Sequence, residues 1–343
     1  MNTFLSRAVA WCLPVVVAMS ACAQDSPAKI APERVVAMRH PYLWRIEGEP
    51  AQWLFGTIHL PDKRVTTLPE SVDAAIDACD VLVTELVMDA ATQATLAKET
   101  RLPKGKTLTD VLPEATYQRL DEYCKSKKFP LTAVATQKPW VVVATLPMLD
   151  DLKAIMGGKA LDLVLIDEAK DRDKKTGALE TPLEQIGAFE ALSAAEMVEL
   201  IDATLDVLEK AAAEQRSLFQ ELVELYLKGD VHALHDAMES MSGLTGHAEL
   251  EAKFEKLLLT DRNHRMVDRM LARMKESPKA SHFFAVGAAH YPGEEGILAL
   301  LAAKGYRLTR VGGEPPKAAG GKAPAGASAV EGIKEPATTG SGR

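Results

Sequence analysis

Two segments far apart in the chain share one design. Trp53-Leu54-Phe55-Gly56-Thr57-Ile58-His59 and Phe283-Phe284-Ala285-Val286-Gly287-Ala288-Ala289-His290 each run an apolar stretch into a glycine, two residues and a histidine. A short apolar run bounded by glycine reads as a strand buried on both faces. In an open α/β sheet, ligands bind outside the carboxyl ends of the strands. A glycine there lets the backbone bend free of a Cβ, and a positive φ at Gly56 is the conformation that would demand it. Two such strands aim two imidazoles at one place. Either histidine alone reads more simply as a turn residue satisfied by hydrogen bonds; the matched pair favours a shared site.

Composition fits a globular frame for these strands. The 343 residues are 47% hydrophobic and 26% charged, which excludes collagen-like, coiled-coil and wholly disordered chains. The net charge of −8, with no basic stripe, argues against nucleic acid or anionic lipid as a partner. Residues 1–23 carry Arg7, then an apolar run from Ala8 to Met19 that is too short to span a bilayer, then small residues. This is the pattern of a secretory signal, and it places the mature protein in the periplasm or an equivalent exported compartment. Ala21-Cys22-Ala23 fits cleavage before Gln24, whereas Met19-Ser20-Ala21-Cys22 resembles a lipobox. Met is a poor start to a lipobox, which favours simple cleavage; a lipid anchor at Cys22 is the one membrane attachment the sequence offers. In an oxidising compartment Cys79 and Cys124 form either a disulfide or two buried thiols.

Residues 24–40 read as a linker, 41–311 as an α/β domain, and 312–343, rich in Gly, Ala and Pro, as a disordered tail. Strands are predicted at Tyr42–Glu47 and Gln52–Ile58 around a turn at Gly48-Glu49-Pro50, at Asp80–Glu85, at Ala178–Glu180, at Phe283–Val286 and at Tyr306–Val311. Helices are predicted from near Pro69, over 90–100, 113–128 and 137–156, at Leu161–Arg172, at Met266–Met274 and at Glu294–Lys304. Residues 187–260 read as a helical insert on a single mixed or mostly parallel sheet.

Glu85 ends an otherwise apolar strand, where a carboxylate is costly unless it is paired, metal-bound or reached by water. It can complete a two-histidine, one-carboxylate cation site or act as base to an activated water; the plain alternative is a Glu in water at a sheet edge. Glu180 ends a short strand and is a second acid. Thr181 and Glu184 have capping-box spacing, with Pro182 opening a helix. Arg262 and Asn263 can bind a carboxylate or an oxyanion, although spacing alone favours solvation at the surface. Other signals fail. Gly105-Lys106-Thr107 lacks the first glycine of a phosphate loop, since position 100 is Thr. His232, His235 and Glu239 do not make a His-Glu-x-x-His motif, and no Gly-x-Ser-x-Gly elbow occurs.

The ordered set Leu54–Leu60, Val83–Leu86, Lys138-Pro139-Trp140, Leu179-Glu180-Thr181 with Gln185, Arg262-Asn263, Val286–His290 and Gly293 to Tyr306 resembles the TraB/PrgY/GumN family, whose animal relatives are the Tiki proteases. The resemblance runs from about Tyr42 to Val311. It implies an α/β core shared with erythromycin-esterase and ChaN-like proteins, and a metal-dependent hydrolase acting on a peptide or small molecule. It further implies a divalent ion, manganese or cobalt with zinc as the other candidate, held by His59, His290 and Glu85. Glu180, Gln185, Arg262 and Asn263 would be their neighbours. Tyr291-Pro292 departs from the family's aliphatic residue after the second histidine, and is expected to alter the pocket rim. The alternatives are a non-catalytic protein that binds haem, metal or peptide in the same crevice, and an esterase-like hydrolase with His59 as a metal-free base.

Overall fold

The computed structural model describes residues 38–151, 158–240, 244 and 247–312. The predicted signal, most of the linker and nearly all of the tail lie outside them. Met38, within the predicted linker, is buried in the core. Among the described residues no helix is long and apolar enough to cross a membrane.

Six strands form one mixed sheet. They are β1 (Leu43–Ile46), β2 (Gln52–Thr57), β3 (Val81–Thr84), β4 (Lys175–Ala178), β5 (His282–Gly287) and β6 (Leu308–Arg310), in the spatial order β4-β3-β5-β2-β1-β6. The first four in that order run parallel, and β1 and β6 add to them antiparallel. The central strands are apolar on both sides because helices cover both faces: Leu54, Phe55, Leu82, Val83 and Phe283 to Val286 are all fully buried. The turn between β1 and β2 falls at Gly48, whose φ of 139° suits glycine.

Helices α1 (Glu70–Ala78), α2 (Ala90–Glu99), α3 (Glu114–Ser126), α4 (Pro139–Thr145) and α5 (Leu161–Asp171) match predicted segments, with differences at their ends. The predicted 137–156 helix gives up α geometry at Leu146 and continues as a 3-10 turn to Asp151, because Pro147 has no N–H to offer Val143; residues 152–156 lie outside the described residues. The helical insert follows as α6 (Pro182–Glu190), α7 (Ala194–Ala213), α8 (Leu218–Lys228), α9 (Val231–Ser240) and α10 (Ala248–Glu255). A π-helical turn, Lys256–Thr260, joins it to α11 (Asp261–Glu276). Arg262 and Asn263 were expected before a helix starting at Met266; they lie inside α11, because the π turn carries helix straight through that polar stretch. Near the end, α12 (Ile297–Ala303) is shorter than predicted and β6 starts late. The Tyr306 N–H bonds back to Leu301 O around Gly305, so the helix cap consumes the residues that would have begun the strand. Cys79 and Cys124 are free buried thiols rather than a disulfide, and burial pushes each up to about 11.

Gly56 corrects the reading of the repeated motif. It does not have positive φ. A Cβ there would stand 2.8 Å from Tyr42 Cβ and 3.2 Å from Ala288 Cβ, so close packing, not a backbone bend, demands the glycine. Its N–H donates to Tyr42 O, and its carbonyl accepts from the Tyr226 hydroxyl at 2.7 Å. Gly56→Val is expected to destabilise the protein by about 1–3 kcal/mol through overpacking. Urea unfolding checks this, and wild-type stability would show that β2 moves off Tyr42 without cost.

Candidate active site

The parallel strands bring their carboxyl ends together. Thr57 pairs with Gly287 and Thr84 with both Ala285 and Ala178, so β2, β5, β3 and β4 end almost level. His59 follows β2, His290 follows β5 on a single 3-10 turn, and Glu85 directly follows β3. The ladder between β3 and β4 runs on past their formal ends: Leu179 N–H bonds to Thr84 O, and Glu180 N–H to Glu85 O at 2.9 Å. Pairing begins three residues earlier than the predicted Ala178–Glu180 strand and carries Glu180 alongside Glu85.

His59, Glu85 and His290 meet around Gly287. A Cβ on that glycine would stand 3.2 Å from Glu85 Oε1, 3.5 Å from the His290 ring and 3.9 Å from His59 Nε2. Its N–H donates to Glu85 Oε1 at 2.8 Å. Glu85 lies on an interior strand and is buried, so it is no carboxylate at a wet edge.

Arg262 holds the two acids together. Its Nη2 donates to Glu85 Oε2 at 2.6 Å and to Glu180 Oε2 at 2.7 Å, and its Nε reaches both Glu180 oxygens. The Gln185 amide nitrogen also bridges the pair, 3.1 Å from Glu85 and 3.2 Å from Glu180. Arg265 donates to Glu180 from outside. Arg262 and Asn263 are buried, contrary to the surface placement that spacing suggested. Burial opposes both carboxylate charges, but Arg262 and the two histidines outweigh it and hold Glu85 down at about 2; Arg262 lowers Glu180 likewise. Thr181 and Glu184 do form the capping box of α6, and Arg269 grips the same Glu184.

The two histidines are held in opposite states. Asn263 Oδ1 accepts from His290 Nδ1 at 2.6 Å, and the Asn263 amide is itself oriented by its donation to Glu295 O. Burial and the nearby Arg262 charge push His290 down to about 4, so it is neutral with Nε2 free of a proton. His59 Nδ1 donates to Asp162 Oδ2 at 2.5 Å, and Asp162 Oδ1 accepts from Thr57 Oγ1. Burial lowers His59, yet the Asp162 charge and hydrogen bond, with Glu85, carry it up to about 9. Asp162 was missed in the sequence, where an acid in the first turn of α5 looks like helix-dipole chemistry. Its only signal was its place beside Leu161 at the start of a helix that opens on an apolar run.

Both imidazoles turn Nε2 away from their Nδ1 partners, the arrangement that outer oxygen acceptors give to metal-ligating histidines. Two imidazoles and a carboxylate are the donor chemistry of a divalent transition ion. Among the described residues, no three His, Cys, Asp or Glu side chains stand in ligand geometry, and His59 Nε2 lies 3.9 Å from Glu85 Oε1. Tyr291 does not shape the rim. It is fully buried and stacks on Trp44 with centroids 5.1 Å apart. His232 is exposed and His235 half-buried on α9, within the insert.

A mixed α/β sheet with histidines and carboxylates gathered at the carboxyl ends of its parallel strands defines the class of protein. Residues 42–310 match the family model described as TraB/PrgY/gumN family, and the chain belongs to that family. It is similar to Metalloprotease TIKI1 of Danio rerio, 28% identical over 308 residues that cover 78% of this chain and 62% of that protein. Metalloprotease TIKI2 of Xenopus tropicalis is also 28% identical, over 78% of this chain and 59% of its own length. Metalloprotease TIKI1 of Homo sapiens is 27% identical, with 78% and 61% covered. The chain thus spans about three-fifths of the length of these curated relatives. No solved structure gives a significant match.

Three outcomes follow from this electrostatic arrangement. Glu85 sits at about 2 against an ordinary 4.5, so its contribution to stability is full above pH 4.5 and is lost as pH falls towards 2. Arg262→Met is expected to cost about 3–5 kcal/mol near neutral pH by leaving buried charge unpaired. It should also reverse the dependence: the unpaired carboxylates rise above their unfolded values, and stability then increases on acidification. Urea unfolding of the wild type from pH 5 to 2 and of the variant from pH 8 to 5 checks both, and a wild-type pH slope in the variant would show that Arg262 is not what holds the acids ionised. In metal-free protein, Asp162→Asn is expected to lower the His59 titration midpoint by more than about one unit. Imidazole proton shifts report it, and an unmoved midpoint would remove Asp162 as the cause.

Proposed function

We propose that the protein is an exported, metal-dependent hydrolase acting on peptides. The observation that carries this reading is the convergence of two anchored histidines, each with Nε2 turned from its Nδ1 partner, on the Glu85 carboxylate around Gly287. The names of the TIKI relatives supply the reaction class, and residues 1–23 supply the export reading. His59, His290 and Glu85 would hold a divalent ion, which when bound lowers the pKa of water and polarises a scissile carbonyl.

The chain's own residues divide the remaining work. Asp162 and Asn263 fix the ring orientations of His59 and His290. Arg262 keeps Glu85 ionised, while Glu85 Oε1, bonded among the described residues only to the Gly287 N–H, keeps a lone pair for a cation or a proton. Glu180 has a fully buried side chain, and both of its oxygens are taken by Arg262, Arg265 and Gln185, so it positions Arg262 rather than receiving protons. A second reading, in which His59 acts as a metal-free base, rests on the Asp162–His59 pair; because, against burial, that pair carries the imidazole up to about 9, the reading expects activity to rise with pH towards 9.

Elemental analysis and peptide hydrolysis test both readings. Wild-type protein incubated with manganese, cobalt or zinc is expected to retain about one ion per chain. The His59→Ala/His290→Ala double variant should retain none and lose more than about 100-fold of the hydrolysis, beyond what outer-sphere changes cost. Activity that survives chelation would transfer the assignment to the metal-free base, and full activity in the double variant would sink both.

A further inference from the structure

Beside Glu85 and His59 the site opens into a small pocket. Beyond the acids, His59 and Gln185, its walls are Leu86, Met88, Leu163 and Ile166, with only the methyl of Thr84 free, because the Thr84 hydroxyl is spent on Leu86 O. The acids on its polar edge are engaged. Asp162 accepts from Thr57 and His59, and Glu85 accepts from Gly287, Arg262 and Gln185. An acidic group entering here meets two carboxylates. A basic one finds one open lone pair, on Glu85 Oε1, and must give up its water shell against apolar walls, whereas an aliphatic group gives up no hydrogen bond.

Gln185 adds a second, independent signal. Its amide nitrogen is committed to Glu85 and Glu180, which identifies the other end as oxygen. That Oε1 is buried, on a residue only 4% exposed, and has no hydrogen-bond partner among the described residues. A buried acceptor without a donor is rare enough to call for one. The backbone N–H of a peptide is such a donor, and an ester oxygen is not.

We propose that this pocket receives an uncharged aliphatic side chain of a peptide residue next to the cleaved bond, and that Gln185 Oε1 accepts that residue's backbone N–H. The inference names the substrate class of the site described above; it rests on the hydrolase reading for the cleavage and not for the binding.

The test is a titration of metal-free, methyl-labelled full-length protein with N-acetyl-leucine N-methylamide, its aspartate and lysine counterparts, and the leucine compound methylated on its own backbone nitrogen. The leucine compound is expected to shift the Met88, Leu163 and Ile166 methyls and to bind at least about tenfold tighter than either charged one. Blocking its N–H should weaken binding several-fold in wild type and not in Gln185→Met. Equal binding of the three side chains, no binding, or shifts that avoid these methyls would overturn the proposal, and the wild-type series decides this even if the variant does not fold. Aliphatic binding without hydrolysis of leucine-containing peptides under any added metal would leave the pocket standing and remove the hydrolase reading. Hydrolysis with no aliphatic preference would do the reverse.

Discussion

The Arg262 guanidinium between Glu85 and Glu180 is the interaction on which the site depends. The β3–β4 ladder sets two carboxylates side by side in the interior, an arrangement that neither like-charge repulsion nor desolvation permits alone. A planar fork with five donors meets both acids at once, which a lysine ammonium cannot do with the same geometry. Arg262 belongs to α11, so pairing the acids requires that helix to lie across the carboxyl end of the sheet. Once it does, Asn263, the next residue, is in place to hold His290. One two-residue step on a helix thus connects the ends of β3, β4 and β5.

The same charges sort two chemically identical histidines. His290 faces Arg262 and has a neutral amide at Nδ1, so burial keeps it uncharged. His59 lies nearer the pocket, with 13% of its side chain exposed, and has a carboxylate at Nδ1. A site with one neutral and one readily protonated imidazole has donors of unequal basicity, and that inequality comes from the outer partners Asn263 and Asp162.

What could be read from the sequence follows from which signals are local. The two Gly-x-x-His strands and Glu85 were legible because apolar runs ending in glycine or a carboxylate place their ends by strand geometry alone. The capping box at Thr181 was legible because its partners are three residues apart. Arg262 and Asn263 were assigned to a polar surface because the π turn before them breaks the helical period, and because their side-chain partners lie 27 or more residues away. Asp162 was hidden for the same reason: its local role at a helix start is ordinary, and His59 is 103 residues distant. Gly56 was recognised as necessary, but for the wrong cause. Sequence shows that a Cβ is absent, and only packing shows that Tyr42 and Ala288 fill its place.

The helical insert therefore does more than cover the sheet. Tyr226 on α8 donates to Gly56 O across 170 residues of sequence, and its ring lies 4.9 Å from that of Tyr42, whose carbonyl takes the Gly56 N–H. Arg310 on β6 sits over the Tyr42 and Trp44 rings and donates to Gly229 O at the end of α8. The strand that delivers His59 is held three residues before the imidazole by Tyr226 of the insert and by Tyr42 just ahead of the first strand, with Arg310 of the last strand packed over the Tyr42 ring. Displacing α8 would withdraw the Tyr226 hydroxyl from the Gly56 carbonyl and the Tyr226 ring from Tyr42. The position of His59 is consequently a property of the closed domain, and the insert's contribution to the site is mainly mechanical: among its described residues only Gln185, on α6, lines the pocket.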